Sequence, residues 1–304
     1  MKNETIKGKL LIVAGVVILA AFCVNEYGFA KNLFSWSTKP VHIEKSVQAA
    51  ELRHLLVDTD SADVNIINGY SGDIEVRLDG NVKQEAADRV QLKVEPQGDT
   101  LKLKVENPDG FQLGLNFSAL KLTVELPELD WQTVKVHTES GDISLEELKG
   151  KTVNISASSG DITVKDVESG QLTLEAKSGD IITQDYTAEA LIFQTGSGDV
   201  RLVNGQSSIQ GETQSGDIVV KVDDLDKDVN LKAESGDVKV YVEKEPKSLT
   251  VQYNGGSGSG QIGWDGVTYV ERGEDNHKLK GVFGAGETHL KVRTGSGEFW
   301  LGQQ

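Results

Sequence analysis

Ser140-Gly141-Asp142, Ser159-Gly160-Asp161, Ser178-Gly179-Asp180, Ser197-Gly198-Asp199, Ser215-Gly216-Asp217 and Ser235-Gly236-Asp237 recur at steps of 19, 19, 19, 18 and 20 residues. Repetition at a near-fixed period means that each copy is one structural unit. Around each tripeptide the hydropathy alternates. Leu172-Thr173-Leu174-Glu175-Ala176 leads into one copy, and Ile162-Thr163-Val164 leaves another. Apolar residues at every second position indicate strands with one buried face. Glycine supplies the backbone freedom of a corner, while Ser and Asp bond nearby N–H groups. A unit of about 19 residues cannot bury its apolar face alone, but stacking in register does so, with equivalent residues about 4.8 Å apart. The expected fold is all-β: a parallel β-solenoid of the β-helix type with 19-residue Ser-Gly-Asp repeats. An antiparallel meander with Ser-Gly-Asp as hairpin turns is the rival that spacing alone leaves open.

Outward from this core the period loosens. Ser71-Gly72-Asp73 is an earlier copy and Ser61-Ala62-Asp63 a further candidate, while Ser259-Gly260-Gln261 and Ser296-Gly297-Glu298 are degenerate ones. Residues 55–130 break the period yet stay strand-like, as in Leu101-Lys102-Leu103-Lys104-Val105. They read as a β-rich N-terminal part that merges with or caps the coil, because open ends expose core and strand edges. Residues 131–304 read as the repeat solenoid and its C-terminal cap. Lys83 to Arg89 suits one or two helical turns, Gly255 to Gly260 a flexible loop, and Phe299-Trp300 an aromatic cover on the last rung.

Residues 10–24, LLIVAGVVILAAFCV, are apolar or small throughout and follow Lys2, Lys7 and Lys9. As a helix running to Ala30 they span about 31 Å, enough for a bilayer core. The basic flank at 1–9 places that end in the cytoplasm. The expectation is a single transmembrane anchor or signal segment at 10–30, a juxtamembrane linker at 31–54, and an extracytoplasmic body at the cell membrane. Cleavage after Gly28-Phe29-Ala30 and lipidation at Cys23, which bulky Phe22 disfavours, are the processed alternatives.

Charge narrows the partners. The 304 residues carry 31 Lys and Arg against 47 Asp and Glu. Residues 1–39 hold five of the cations and two of the acids, leaving 26 against 45, a net of −19 on the body. Such a body repels nucleic acid and anionic headgroups. A lone cysteine excludes an intrachain disulfide framework.

Two sets of acids are candidate sites. Asp142, Asp161, Asp180, Asp199, Asp217 and Asp237 line up in a stacked coil. Like charges about 5 Å apart cost about 3 kcal/mol at an effective dielectric of 20, and well under one in salt water. These aspartates must therefore face solvent, cap backbone N–H groups, or share cations. They form a candidate ridge for cationic ligands beside the plainer reading as turn caps. Asp223, Asp224, Asp226 and Asp228 are a candidate cation site, although the loop lacks the central glycine and distal Glu of an EF-hand. His42, His54, His137, His277 and His289 are scattered, and no nucleophile elbow, zinc motif or phosphate loop is present, so neither an enzyme nor a cofactor is expected.

Leu122-Thr123-Val124-Glu125-Leu126-Pro127, the connector at Trp131, and the train of Ser-Gly-Asp-Ile/Val units resemble the bacterial "putative adhesin" β-strand-repeat family over roughly residues 55–300. With an N-terminal anchor, the chain is similar to LiaG-type members found beside cell-envelope stress systems. The resemblance implies a membrane-anchored extracytoplasmic interaction or sensing module, tied to envelope stress or adhesion, and carries over no catalytic residue. Cationic peptides and cation-bridged cell-wall polymers are the partners its charge favours. An accessory subunit docking a membrane protein is the alternative, and an envelope-polysaccharide enzyme a more distant one.

Overall fold

The computed structural model describes residues 38–106 and 119–303. The expected anchor at 10–30, its basic flank and Cys23 lie outside the described residues. No helix among those described is long and apolar enough to cross a membrane. Among the described residues the body is all-β, with helical geometry limited to the 3-10 turns Ala87–Arg89 and Glu274–Asn276.

The pairings resolve the open choice in favour of the parallel coil. Each rung has one strand before its Ser-Gly-Asp corner and one after it. Before the corner, Trp131–Thr138, the second half of Ile143–Ala157, the second half of Ile162–Ser178, Thr187–Ser197, Gln206–Ser215 and Val229–Ser235 pair in parallel, each with the next. After the corner, the first halves of Ile143–Ala157 and Ile162–Ser178 continue into Ile181–Gln184, Val200–Val203, Ile218–Val222 and Val238–Val242. Apart from one shift between Thr187 and Ala190, register is kept, so Val153, Leu172, Leu191 and Ile209 form one buried column and Ile143, Ile162, Ile181 and Val200 face it from the other sheet. Alternation within each strand puts these columns into a single core between the faces.

Where one rung has too large a side chain, its neighbour has none. Phe193 pairs with Gly211, where a Cβ would lie 1.9 Å from the ring, and a Cβ on Gly205 would lie 2.1 Å from the Tyr186 ring. Burial pushes the Tyr186 phenol up to about 12.

Both ends depart from the sequential order. His54–Thr59 lies between Thr100–Glu106 and Trp131–Thr138, and Asp63–Asn68 lies between Ala119–Leu126 and the start of Ile143–Ala157. The chain thus lays down the second rung, runs out to the cap, returns through the first rung and jumps to the third. The opposite end does the converse. After Val238–Val242 the chain overshoots to Leu249–Gly255 and Gly260–Ile262, and then comes back to insert Thr288–Ser296 and Phe299–Gly302 into the gap.

Beyond these interleaved rungs the pairing turns antiparallel. Thr38–Gln48 pairs with Asp73–Lys83, and Gln91–Gln97 with Thr100–Glu106; at the far end Lys278–Phe283 pairs with Leu249–Gly255 and with Thr268–Arg272. The two N-terminal edge strands carry Pro40 and Pro96 among lysines and glutamates, which blunt further strand addition.

Several expectations change. Part of the expected linker, Thr38–Gln48, is a paired strand. The strand Phe299–Gly302 is interior, not the last rung, and Phe299 stacks on Tyr253 at 5.2 Å. Gly255 to Gly260 forms an ordered corner, in which Gly256 and Gly258 pack on Gly295 and Gly297.

Candidate functional site

The first corner carries a ladder made by the repeated aspartates. The backbone N–H of Asp142 donates to Asp63 Oδ1 at 3.0 Å, that of Asp161 to Asp142 Oδ1 at 2.9 Å, and that of Asp180 to Asp161 Oδ1 at 2.8 Å. The N–H groups of Asp199, Asp217 and Asp237 repeat the contact, each at 2.8 Å, with the carboxylate one rung before. Glu298 closes the row by donating its N–H to Asp237 Oδ1 at 2.9 Å. Each carboxylate thus satisfies a backbone donor that the corner takes out of the strand ladder. All six predicted ridge residues belong to this row. The N–H of Glu298, then the Lys239 ammonium at 3.1 Å from Oδ2, hold the Asp237 carboxyl below its ordinary range.

Glycine is obligatory beside them for a steric reason. A Cβ on Gly160, Gly179, Gly198, Gly216 or Gly236 would sit 2.0–2.1 Å from the carbonyl oxygen of the glycine one rung back. Gly198, Gly216 and Gly236 also have φ of 156°, 142° and 150°, which side chains rarely adopt. Threonines line the inside of the corner: Thr138 Oγ1 accepts the N–H of Gly141, and Thr195 Oγ1 donates to the Gly179 carbonyl.

The row corrects the sequence reading at both ends. Ser61-Ala62-Asp63 is its first member. Ser71-Gly72-Asp73 stands apart: Gly72 has nothing within 4 Å of a Cβ, and the Asp73 N–H bonds to Ser71 within its own turn. At the far end Gly258, not Gly260, stacks on Gly297.

The second corner carries a row that sequence reading missed. Glu147, Asp166, Asp185 and Asn204 follow one another at the same 19-residue step, with left-handed φ of 54°, 52°, 53° and 52°. Short polar side chains tolerate that conformation best. Asn204 Nδ2 donates to Asp185 Oδ1 at 2.9 Å and Gln184 Nε2 to Oδ2 at 2.8 Å, which holds the Asp185 carboxyl below its ordinary range. The step itself was the available signal.

Asp223, Asp224, Asp226 and Asp228 occupy an expanded second corner, all exposed. Asp228 Oδ1 accepts the His289 N–H at 2.9 Å, and Asp224 Oδ2 lies 3.9 Å from Lys244 Nζ. These contacts tie the loop to two neighbouring segments. Among the described residues no three His, Cys, Asp or Glu side chains converge on a position suited to a metal ion.

The solenoid therefore has two acidic rails, one at each corner, and two flat faces between them. The family model described as Toastrack DUF4097 matches residues 52–301. Among solved structures, one described as a "putative adhesin" from Bacteroides fragilis superposes with a TM-score of 0.53 at 12% identity, covering 86% of this chain and 96% of that one. Another "putative adhesin", from Parabacteroides merdae, gives 0.41 at 13% identity over 86% and 96%. A "putative lipid binding protein" from Parabacteroides distasonis gives 0.41 at 12% over 86% and 97%. No curated protein matches. The matched span takes in both interleaved ends, the glycine column and both rails, and the chain belongs to the Toastrack DUF4097 family.

Proposed function

We propose that the chain is a membrane-anchored, extracytoplasmic interaction module of the bacterial envelope, of the LiaG type, which recruits cationic partners along its acidic first-corner rail. The observation that carries this reading is the ladder itself. Each aspartate spends Oδ1 on a backbone N–H yet keeps its charge at the surface, so a row of negative charges is held at rung spacing by the fold. A rigid periodic row suits basic peptides or cation-bridged wall polymers better than it suits a compact small molecule. The apolar segment at 10–30 supports anchorage, and the "putative adhesin" description of the Bacteroides fragilis relative is in keeping with a surface role.

The test is calorimetric titration of the full-length chain with a lysine-rich amphipathic peptide, at low and physiological salt, with and without calcium. The comparison is the variant Asp161→Asn/Asp180→Asn/Asp199→Asn/Asp217→Asn, in which each Asn Oδ1 still accepts its N–H bond. Saturable binding that weakens with salt and disappears in the variant is expected. Absence of binding, or binding indifferent to the variant, contradicts the proposal.

A further inference from the structure

Away from both rails, an open groove of about 430 Å³ runs across the outer side of the long-strand face. Its lining comes from six successive strands: Ile162–Ser178 (through Glu175), Thr187–Ser197, Gln206–Ser215, Val229–Ser235, the inserted Thr288–Ser296, and Leu249–Gly255. Five of its fifteen lining residues are carboxamides: Gln194, Gln210, Asn230, Gln252 and Asn254. In-register pairing sets them in two rows. Gln210, Asn230, Lys291 and Gln252 stand in one, and Gln194, Glu212, Lys232, Arg293 and Asn254 in the other.

Small-molecule pockets are mostly apolar with a few polar groups, whereas ten of the fifteen residues lining this groove are polar or charged. A carboxamide offers two donors and an acceptor with two lone pairs, so each row presents a hydrogen-bonding side chain about every 4.8 Å along the rod, with carboxamides interspersed among charged groups. A linear glycan advances by about one rung per hexose ring and carries hydroxyls that both donate and accept. Charge is also graded along the groove. Lys232 is engaged by Glu212 at 2.8 Å and by Glu234, whereas Lys291 and Arg293 stand on the inserted strand beyond them. That cationic pair suits carboxylate or phosphate groups.

We infer that this groove binds a linear anionic polysaccharide laid along the rod, with sugar hydroxyls on the amide rows and its acidic substituents at Lys291 and Arg293. The site shares no residue with the acidic rail and takes a ligand of opposite charge. It forms only when the C-terminal segment is in place between its neighbours, because Lys291 and Arg293 arrive on that segment.

Affinity electrophoresis of the full-length chain through gels containing carboxymethylcellulose, hydroxyethylcellulose or dextran tests it. Retardation is expected to be strongest with carboxymethylcellulose, weaker with the neutral β-linked polymer and absent with dextran. Gln210→Ala/Asn230→Ala/Gln252→Ala, three surface substitutions, should weaken the carboxymethylcellulose affinity at least tenfold. Lys291→Gln/Arg293→Gln should abolish the preference for the anionic polymer, and Lys165→Gln on the opposite face should change nothing. Unaltered melting temperatures show that the variants are folded. No retardation by either cellulose, or retardation that survives the triple substitution, overturns the inference. Loss of the rail in the Asp→Asn variant should leave it intact, which separates the two sites.

Discussion

At Gly160 and Gly179 a Cβ would fall 2.0 and 2.1 Å from a backbone carbonyl oxygen that cannot move without shifting a whole rung. Either Gly→Ala change is expected to cost about 3 kcal/mol or more. Gly72→Ala, in the superficially identical tripeptide with open space around it, should stay within about 0.5 kcal/mol. Thermal unfolding of the three variants checks this contrast, and equal losses would contradict the stacked-corner account. The second corner makes the opposite prediction. Glu147 holds φ of 54° without being glycine or asparagine, so Glu147→Gly should stabilise by about 0.5 kcal/mol. The lowered pKa of Asp237 sets a pH window. Its contribution is complete above the unfolded-state value of about 4 and is lost as pH falls through the lower folded value. Wild type should therefore lose the pH-dependent part of its margin over Asp237→Ala in acid unfolding below about pH 4, and a margin unchanged there would argue against the bonds from Glu298 N–H and Lys239 to the ionised carboxylate.

Among the elements, the alternating strands and their repeat were legible, since a period of 19 with apolar residues at every second position permits few arrangements. Parallel stacking was the expectation, but hairpins share that spacing, and only the register of the pairings excludes them. The interleaved ends left no local trace. His54–Thr59 and Thr288–Ser296 look like any half-buried strand, and only long-range pairing tells where each inserts. The repeated aspartates were legible as turn caps or ridge, but the partner of each cap, the N–H one rung on, depended on the stack. The inserted segment carries a consequence. Deleting residues 288–304 removes the strands between Val229–Ser235 and Leu249–Gly255. Amide exchange should then show Leu249–Ile262 unprotected while Ile143–Gln184 stays protected, and uniform loss would indicate a single cooperative unit. Size compensation within the core is also testable. Gly211→Ala drives a methyl group into the Phe193 ring, so Phe193→Leu should recover about 1 kcal/mol or more of that loss in the double variant.

For the whole molecule, the body's net charge of −19 and its two acidic rails act against compactness. Self-repulsion of this kind is screened within about 10 Å at 0.1 M salt, so the melting temperature should rise from low to physiological ionic strength. The same argument sets the two roles of the first rail apart. Its oxygens hold the corner together, while its charges oppose the stack and are what the proposed cationic partner would engage. The most direct test compares melting at low salt for wild type, for Asn at positions 161, 180, 199 and 217 together, and for Ala at the same four. Asn keeps the acceptor and removes the charge; Ala removes both. The ladder predicts that the Asn variant melts at or above wild type, and that the Ala variant melts well below it, at about 1 kcal/mol per lost bond. An Asn variant that falls as far as the Ala variant would contradict the ladder, because the charge, and not the bonded oxygen, would then be holding the corner.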